Sequence, residues 1–155
     1  MTADEYLLIL ERTGGDIVPL ATKERWRVLQ QWREVYAAGL HRATGRWKHG
    51  PYEWHVFSFD YARCLDREQA AAAYADERAE EFVVCPESVK LPTVRVSNGA
   101  LPAFRWSGDD IDIWPAGLDW TMAFTHEESI GLGPYFCRRE WAASKGGSGR
   151  RSSRS

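Results

Sequence analysis

Long apolar runs are missing from this 155-residue chain. Stretches such as Tyr6 to Leu10 and Phe82 to Cys85 fall far short of the roughly 20 apolar residues that a membrane-crossing helix requires, so no membrane partner is expected. Paired cysteines are missing too. Cys64, Cys85 and Cys137 are odd in number and include no Cys-x-x-Cys, which excludes a disulfide framework or a zinc ribbon and leaves reduced, buried thiols. The opening Met-Thr-Ala-Asp-Glu has neither the basic start nor the apolar core of a secretory leader, and the expected compartment is the cytoplasm. Gly131-Leu-Gly133 is too short for a phosphate-binding loop and lacks its strand-turn-helix setting. No motif implies a cofactor or a resident metal ion.

Excess basic charge is also lacking. The formal net charge is −2, from 20 Lys and Arg against 22 Asp and Glu. Lys145, Arg150, Arg151 and Arg154 lie in the acid-free stretch Ser144 to Ser155, and without them the body carries about −6. An acidic body makes nucleic acid an unlikely partner. The Gly, Ser and Arg of residues 144–155 give nothing to pack and imply a disordered tail. Residues 2–143 are then expected to form one domain, since a chain of this length holds a single core.

What the chain does have is aromatic bulk: eight Trp, six Tyr and six Phe, in a sequence of mean hydropathy −0.47. Thr2-Ala-Asp-Glu5 is a capping-box pattern and starts a helix over Ala3–Arg12. Thr22 is the expected N-cap of a second helix over Lys23–Leu40, whose Trp26, Leu29, Trp32, Tyr36 and Leu40 recur at steps of three or four as a core stripe. "YEWHVFSF" reads as a central strand, and Asp66-Arg-Glu-Gln69 as the capping box of a third helix over Arg67–Ala79. "EFVVCP" is a strand, Thr93 to Val96 a short edge strand, and "DIDIWP" and "WTMAFTHE" alternate as a hairpin pair, with a last strand within Gly133 to Glu140. Helices first and strands afterwards give an α+β fold, a mainly antiparallel sheet of four to five strands packed by about three helices.

Three segments, "WHVFSFDYARCL" (Trp54 to Leu65), "DIDIW" (Asp110 to Trp114) and "DWTMAFTHE…GPYF" (Asp119 to Phe136), carry a resemblance in their order and spacing. Together they resemble a bacterial family, number 4275 among the domains of unknown function, over roughly Trp26 to Phe136. Members often place a cysteine just before the Gly-Pro-aromatic step, where this chain has Leu132. The resemblance implies fold and bacterial origin and brings no activity with it.

The candidate chemistry centres on Thr125-His126-Glu127. If the strands are neighbours, His55 meets His126 at one rim, and two imidazoles with Glu127 supply either three ligands for a catalytic zinc or an acid-base pair. Structurally, alternation from Trp120, Met122 and Phe124 carries His126 to the buried face, hydrogen-bonded to backbone or to a tyrosine such as Tyr135. Cys64 precedes the Asp66 helix, where a helix N-terminus favours thiolate, and a Cys64/His55 pair is a second catalytic candidate; a buried structural cysteine is the alternative. Trp47, Trp106 and Trp114 fall in loops or on a polar strand face and are the candidate binding residues, as rigid aromatics of the kind that anchor interfaces. On this reading the chain is a non-catalytic macromolecule-binding module, regulatory or toxin-neutralising in style, with another protein as partner. The alternative is a small hydrolase or metal-dependent enzyme using His126, Glu127 and His55, or a Cys64 thiol enzyme.

Overall fold

The computed structural model describes residues 1–142. Within them one seven-stranded sheet is paired antiparallel throughout and covered by helices on both faces. In chain order the elements are α1 (Ala3–Glu11), β1 (Asp16–Pro19), α2 (Thr22–Tyr36), α3 (Ala38–Thr44), α4 (His55–Ser58), β2 (Leu65–Asp66), α5 (Arg67–Ala75), β3 (Glu81–Pro86), β4 (Val94–Ser97), β5 (Ile111–Pro115), β6 (Trp120–Phe124), β7 (Tyr135–Arg138) and α6 (Arg139–Ala142), with a 3-10 turn at Glu128–Ile130 between β6 and β7. Strands run β1-β4-β3-β5-β6-β7-β2 across the sheet. The fold is α+β, with seven strands and six helices among the described residues in place of the expected four to five and three. The expected tail, 144–155, lies outside the described residues.

Alternation on the strands divides the core into two layers. Phe82 and Val84 on β3, Ile111 and Ile113 on β5, and Trp120, Met122 and Phe124 on β6 pack under α1 and α5, where Tyr6, Leu10, Ala70 and Tyr74 close that face. Val83, Cys85, Trp114, Ala123, Tyr135 and Cys137 face the other way, under Val28, Leu29, Trp32 and Tyr36 of α2 and under Trp54, Val56 and Phe57. Since β5 and β6 are buried along their whole length, even the polar residues of their second face lie inside. Thr121 is satisfied there: its hydroxyl accepts from the Trp32 indole N–H at 3.0 Å and donates to the Ile113 carbonyl at 3.0 Å.

Five sequence expectations are corrected. "YEWHVFSF" forms no strand: Trp54 and Phe57 are three apart and both fully buried, a helical spacing, and α4 carries them until Asp60, at φ +61°, ends the turn. The long second helix breaks at Ala37, because Gly39 packs so tightly on Tyr61 that a Cβ would stand 2.3 Å from its carbonyl oxygen, and Leu40 belongs to α3. Trp26 is 51% exposed; at about 100° per residue it sits a quarter-turn away from the stripe centred on Leu29, Trp32 and Tyr36, and its ring lies 5.6 Å from the guanidinium of Arg25 and of Arg33. β4 is internal, because the unforeseen β1 pairs with its outer side. Thr22 and Asp66 make no side-chain cap, whereas the Thr2–Glu5 box is present in full.

Candidate functional site

Asp110 immediately precedes β5 and shares the parity of Asp112 and Trp114, which points it to the α2 face at the strand's open end. Three donors converge on its carboxylate. The Trp54 indole N–H donates to Oδ1 at 2.8 Å, the His126 backbone N–H to the same oxygen at 3.0 Å, and His126 Nδ1 lies 2.9 and 3.0 Å from Oδ1 and Oδ2. A carboxylate is acceptor-only when ionised, so this contact places the proton on Nδ1 and leaves Nε2 bare in the neutral ring. Nε2 is 3.6 Å from Glu127 Oε1, and the imidazole is 33% exposed.

His126 reaches Asp110 because β6 has ended. The Thr125 hydroxyl donates to the Leu132 carbonyl, the chain turns through Glu128–Ile130, and alternation stops at Phe124. The expectation that His126 would lie enclosed on the Trp120–Met122–Phe124 side, bonded to backbone or to Tyr135, is therefore corrected: it turns to the opposite face and is held by a carboxylate. Glu128 anchors the turn, pairing with Arg105 and accepting the Trp106 backbone N–H at 2.9 Å.

Aromatic rings wall the site. Tyr52 lies 4.9 Å from the His126 ring and Trp54 6.2 Å from it. His55 packs 4.3 Å from Trp54 and 5.6 Å from Tyr52, with its Nδ1 3.0 Å from Ser58 Oγ. His49 lies beyond, 6.1 Å from His55 and 4.3 Å from Phe59. Burial, then the neighbouring His49, push the His55 pKa down and favour its neutral ring. Tyr135 forms the floor, stacked on Trp54 at 6.0 Å and fully covered.

The structure thus brings His126, Glu127, His55 and Tyr135 around one pair of rings, as neighbours of Asp110. It does not add Cys64, which is buried in the core under α2, nor does it arrange a metal centre: among the described residues no three His, Cys, Asp or Glu side chains converge as a metal-binding group. Of the three candidate binding tryptophans, Trp106 is 64% exposed, Trp47 is half-buried and stacked 3.9 Å from His41, and Trp114 is buried. Asp110 and Tyr52 were missed from the sequence. "DIDIW" offered the signal, since two acids on one side of an apolar alternation lie inside whenever both faces of the strand are covered.

Behind Asp110 sits a second acidic group. Glu87 donates its backbone N–H to the Asp110 carbonyl at 2.8 Å, and its Oε1 accepts the Glu53 N–H at 2.8 Å. Desolvation raises the Glu87 pKa to about 7 and lifts Asp112, which faces it, well above the carboxylate range. Glu53 is held by the Arg33 fork at 3.0 and 2.7 Å, which raises the Arg33 pKa.

Residues 24–136 match the family model described as a domain of unknown function, DUF4275, and the chain belongs to that family. The match spans every residue of the site, from His49 to Tyr135. No curated protein and no solved structure matches the chain.

Proposed function

We propose that the protein is a small general-base hydrolase whose reacting group is His126. The observation that carries this reading is the bidentate Asp110–His126 contact, which directs Nε2 toward a partly open, aromatic-walled rim. Asp110 fixes the tautomer and stabilises the imidazolium that forms; Nε2 takes a proton from a water, and Glu127, at 3.6 Å, orients that water or receives the proton onward. Tyr52 and Trp54 offer faces for an apolar or ring-bearing part of the substrate. The surplus of carboxylates, Asp110, Glu127 and Glu87, favours neutral or cationic substrates over phosphates.

The test is hydrolysis of a panel of activated acyl esters and amides by the purified chain. His126→Gln is expected to lower kcat/KM on any substrate turned over by about 10²–10⁴-fold, the usual worth of a positioned acid-base group. Asp110→Asn is expected to lower it by tenfold or more. Equal rates for parent and His126→Gln would overturn the reading.

A second reading, binding of another protein, is favoured by Trp106. This bulky residue is 64% exposed and takes φ +63°, held there by Glu128, with the Arg105 guanidinium 4.7 Å over its ring. Bulky residues rarely adopt that conformation without a use for it. Arg105 also lines a groove of about 860 Å³ along α5, whose walls include Tyr74, Leu101, Met122 and Phe124. Capture of a partner from a bacterial lysate that is lost in Trp106→Ser and kept in His126→Gln would favour this reading over the first.

A further inference from the structure

A cavity of about 130 Å³ runs inward from Trp26 and Leu29 on α2 to Asp112 on β5. Asp112 is 1% exposed. Neither of its oxygens, nor Glu87 Oε2, receives an N–H or O–H from outside the pair, so the pair has only the proton that burial and its facing carboxyls keep on it. The cations around the cavity are already engaged. Arg33 and Lys48 serve Glu53, at 2.7 and 3.5 Å, and Arg25 donates to Thr93 Oγ1 at 3.1 Å and to the Pro86 carbonyl at 3.4 Å. The cavity therefore ends on two facing carboxyls that hydrogen-bond each other and whose three oxygens there receive no N–H.

We propose that this cavity is a binding site for a small primary ammonium ion, its three N–H groups directed at Asp112 Oδ1, Asp112 Oδ2 and Glu87 Oε2. An –NH₃⁺ group carries three donors and no acceptor, which complements that set. The volume, about four waters' worth, admits methylammonium or ethylammonium and no bulky head. A quaternary ammonium has the charge without the donors. Balance requires that the cation enter with its charge while the proton shared by Glu87 and Asp112 leaves to solvent, with no covalent bond made or broken.

Affinity then depends on pH. The groups facing the pair are Arg25 and Arg33 from α2, Lys48 and Glu53 from the segment before α4, Cys85 from β3 and Asp110 from the start of β5. The arginines keep their charge throughout, and Cys85, its thiol pushed up to about 11 by burial, stays neutral. Release of one proton from a group with a pKa of about 7 strengthens binding by about tenfold between pH 6 and pH 8.

The experiment is calorimetric titration of the full chain with methylammonium and ethylammonium chloride at pH 6 and pH 8, in two buffers of different ionisation enthalpy. Saturable binding is expected, tighter at pH 8, with about one proton released per ion bound at pH 6 and almost none at pH 8. Tetramethylammonium and sodium should not compete. Asp112→Asn, which keeps the shape, should weaken binding at least tenfold while the parent's circular dichroism is retained; should that variant not fold, Glu87→Gln carries the same expectation. Absence of binding, equal binding of tetramethylammonium, or full affinity in a folded Asp112→Asn would each overturn the proposal. His126→Gln should bind methylammonium as the parent does, so this result and the hydrolase reading stand or fall separately.

Discussion

The two faces of the sheet are built on different terms. Under α1 and α5 the layer is apolar: Tyr6 and Tyr74 are its two buried phenols, and each sends its hydroxyl to a backbone carbonyl, of Pro92 and of Pro102. Under α2 and α4 the same strands bury Asp112 and Thr121, with Asp110 and Glu87 at their ends and Glu53 on the segment before α4. Burying an acid costs free energy that an apolar residue of equal size would not. One face is therefore arranged for stability, and the other gives some stability up to place carboxylates beside His126 and beside a cavity. The difference is why the site we propose is sought on the α2 face.

Substitutions on the two faces should accordingly diverge. Phe124 is 1% exposed in the apolar layer, and Phe124→Ala should destabilise by about 3–5 kcal/mol in urea unfolding; a loss below 1 kcal/mol would mean that this layer is not the stabilising one. On the α2 face the larger effect comes from pH. The folded-state pKa of Glu87, about 7, is raised above its ordinary 4.5. The stability linked to that proton is thus fully present below pH 4.5 and is lost as pH rises through 7, by about 3 kcal/mol in all. Asp112 shifts in the same direction. Unfolding free energies at pH 5 and pH 8 check the sign, and Glu87→Gln, which removes the titrating group, should flatten the profile.

Smaller effects sharpen the contrast. Asp110→Asn leaves the Trp54 indole and two His126 donors competing for one acceptor oxygen, and should cost about 1–3 kcal/mol in thermal unfolding, with the site disturbed and the Tyr74–Phe124 layer unchanged in its spectra. Trp106→Ser, at an exposed side chain, should stay within about 0.5 kcal/mol of the parent, so that any loss of partner binding there is a surface effect.

Legibility in the sequence followed the same division. The apolar layer was readable because the strand run "EFVVCP" and the alternation in "DIDIWP" and "WTMAF" are local signals, and the Thr2–Glu5 box marked α1 correctly. β1 escaped: three of its four residues are exposed and it ends in proline, so it has no apolar alternation to read. β2 is two residues long. The α2 face was harder. Its stripe on α2 was visible, but "YEWHVFSF" is too short for periodicity to separate strand from helix, and only long-range packing of Trp54 and Phe57 decides it. The meeting of His55 with His126 was anticipated, for the wrong reason: both stand at Tyr52 and Trp54, but α4 brings His55 there, with no neighbouring strand involved. Asp110 was passed over because an acid beside Ile111 and Ile113 reads as solvent-facing until the second helix layer is known to cover it.

Catalysis of the proposed kind requires that Asp110 hold His126 as the Nδ1–H tautomer with Nε2 free to take a proton. Nitrogen-15 spectra of the imidazole rings at pH 8, assigned through His126→Gln, measure this directly. The expected result is a protonated Nδ1 and a bare Nε2 on His126, with that preference lost in Asp110→Asn. A ring protonated on Nε2, or a tautomer ratio indifferent to Asp110→Asn, would contradict it.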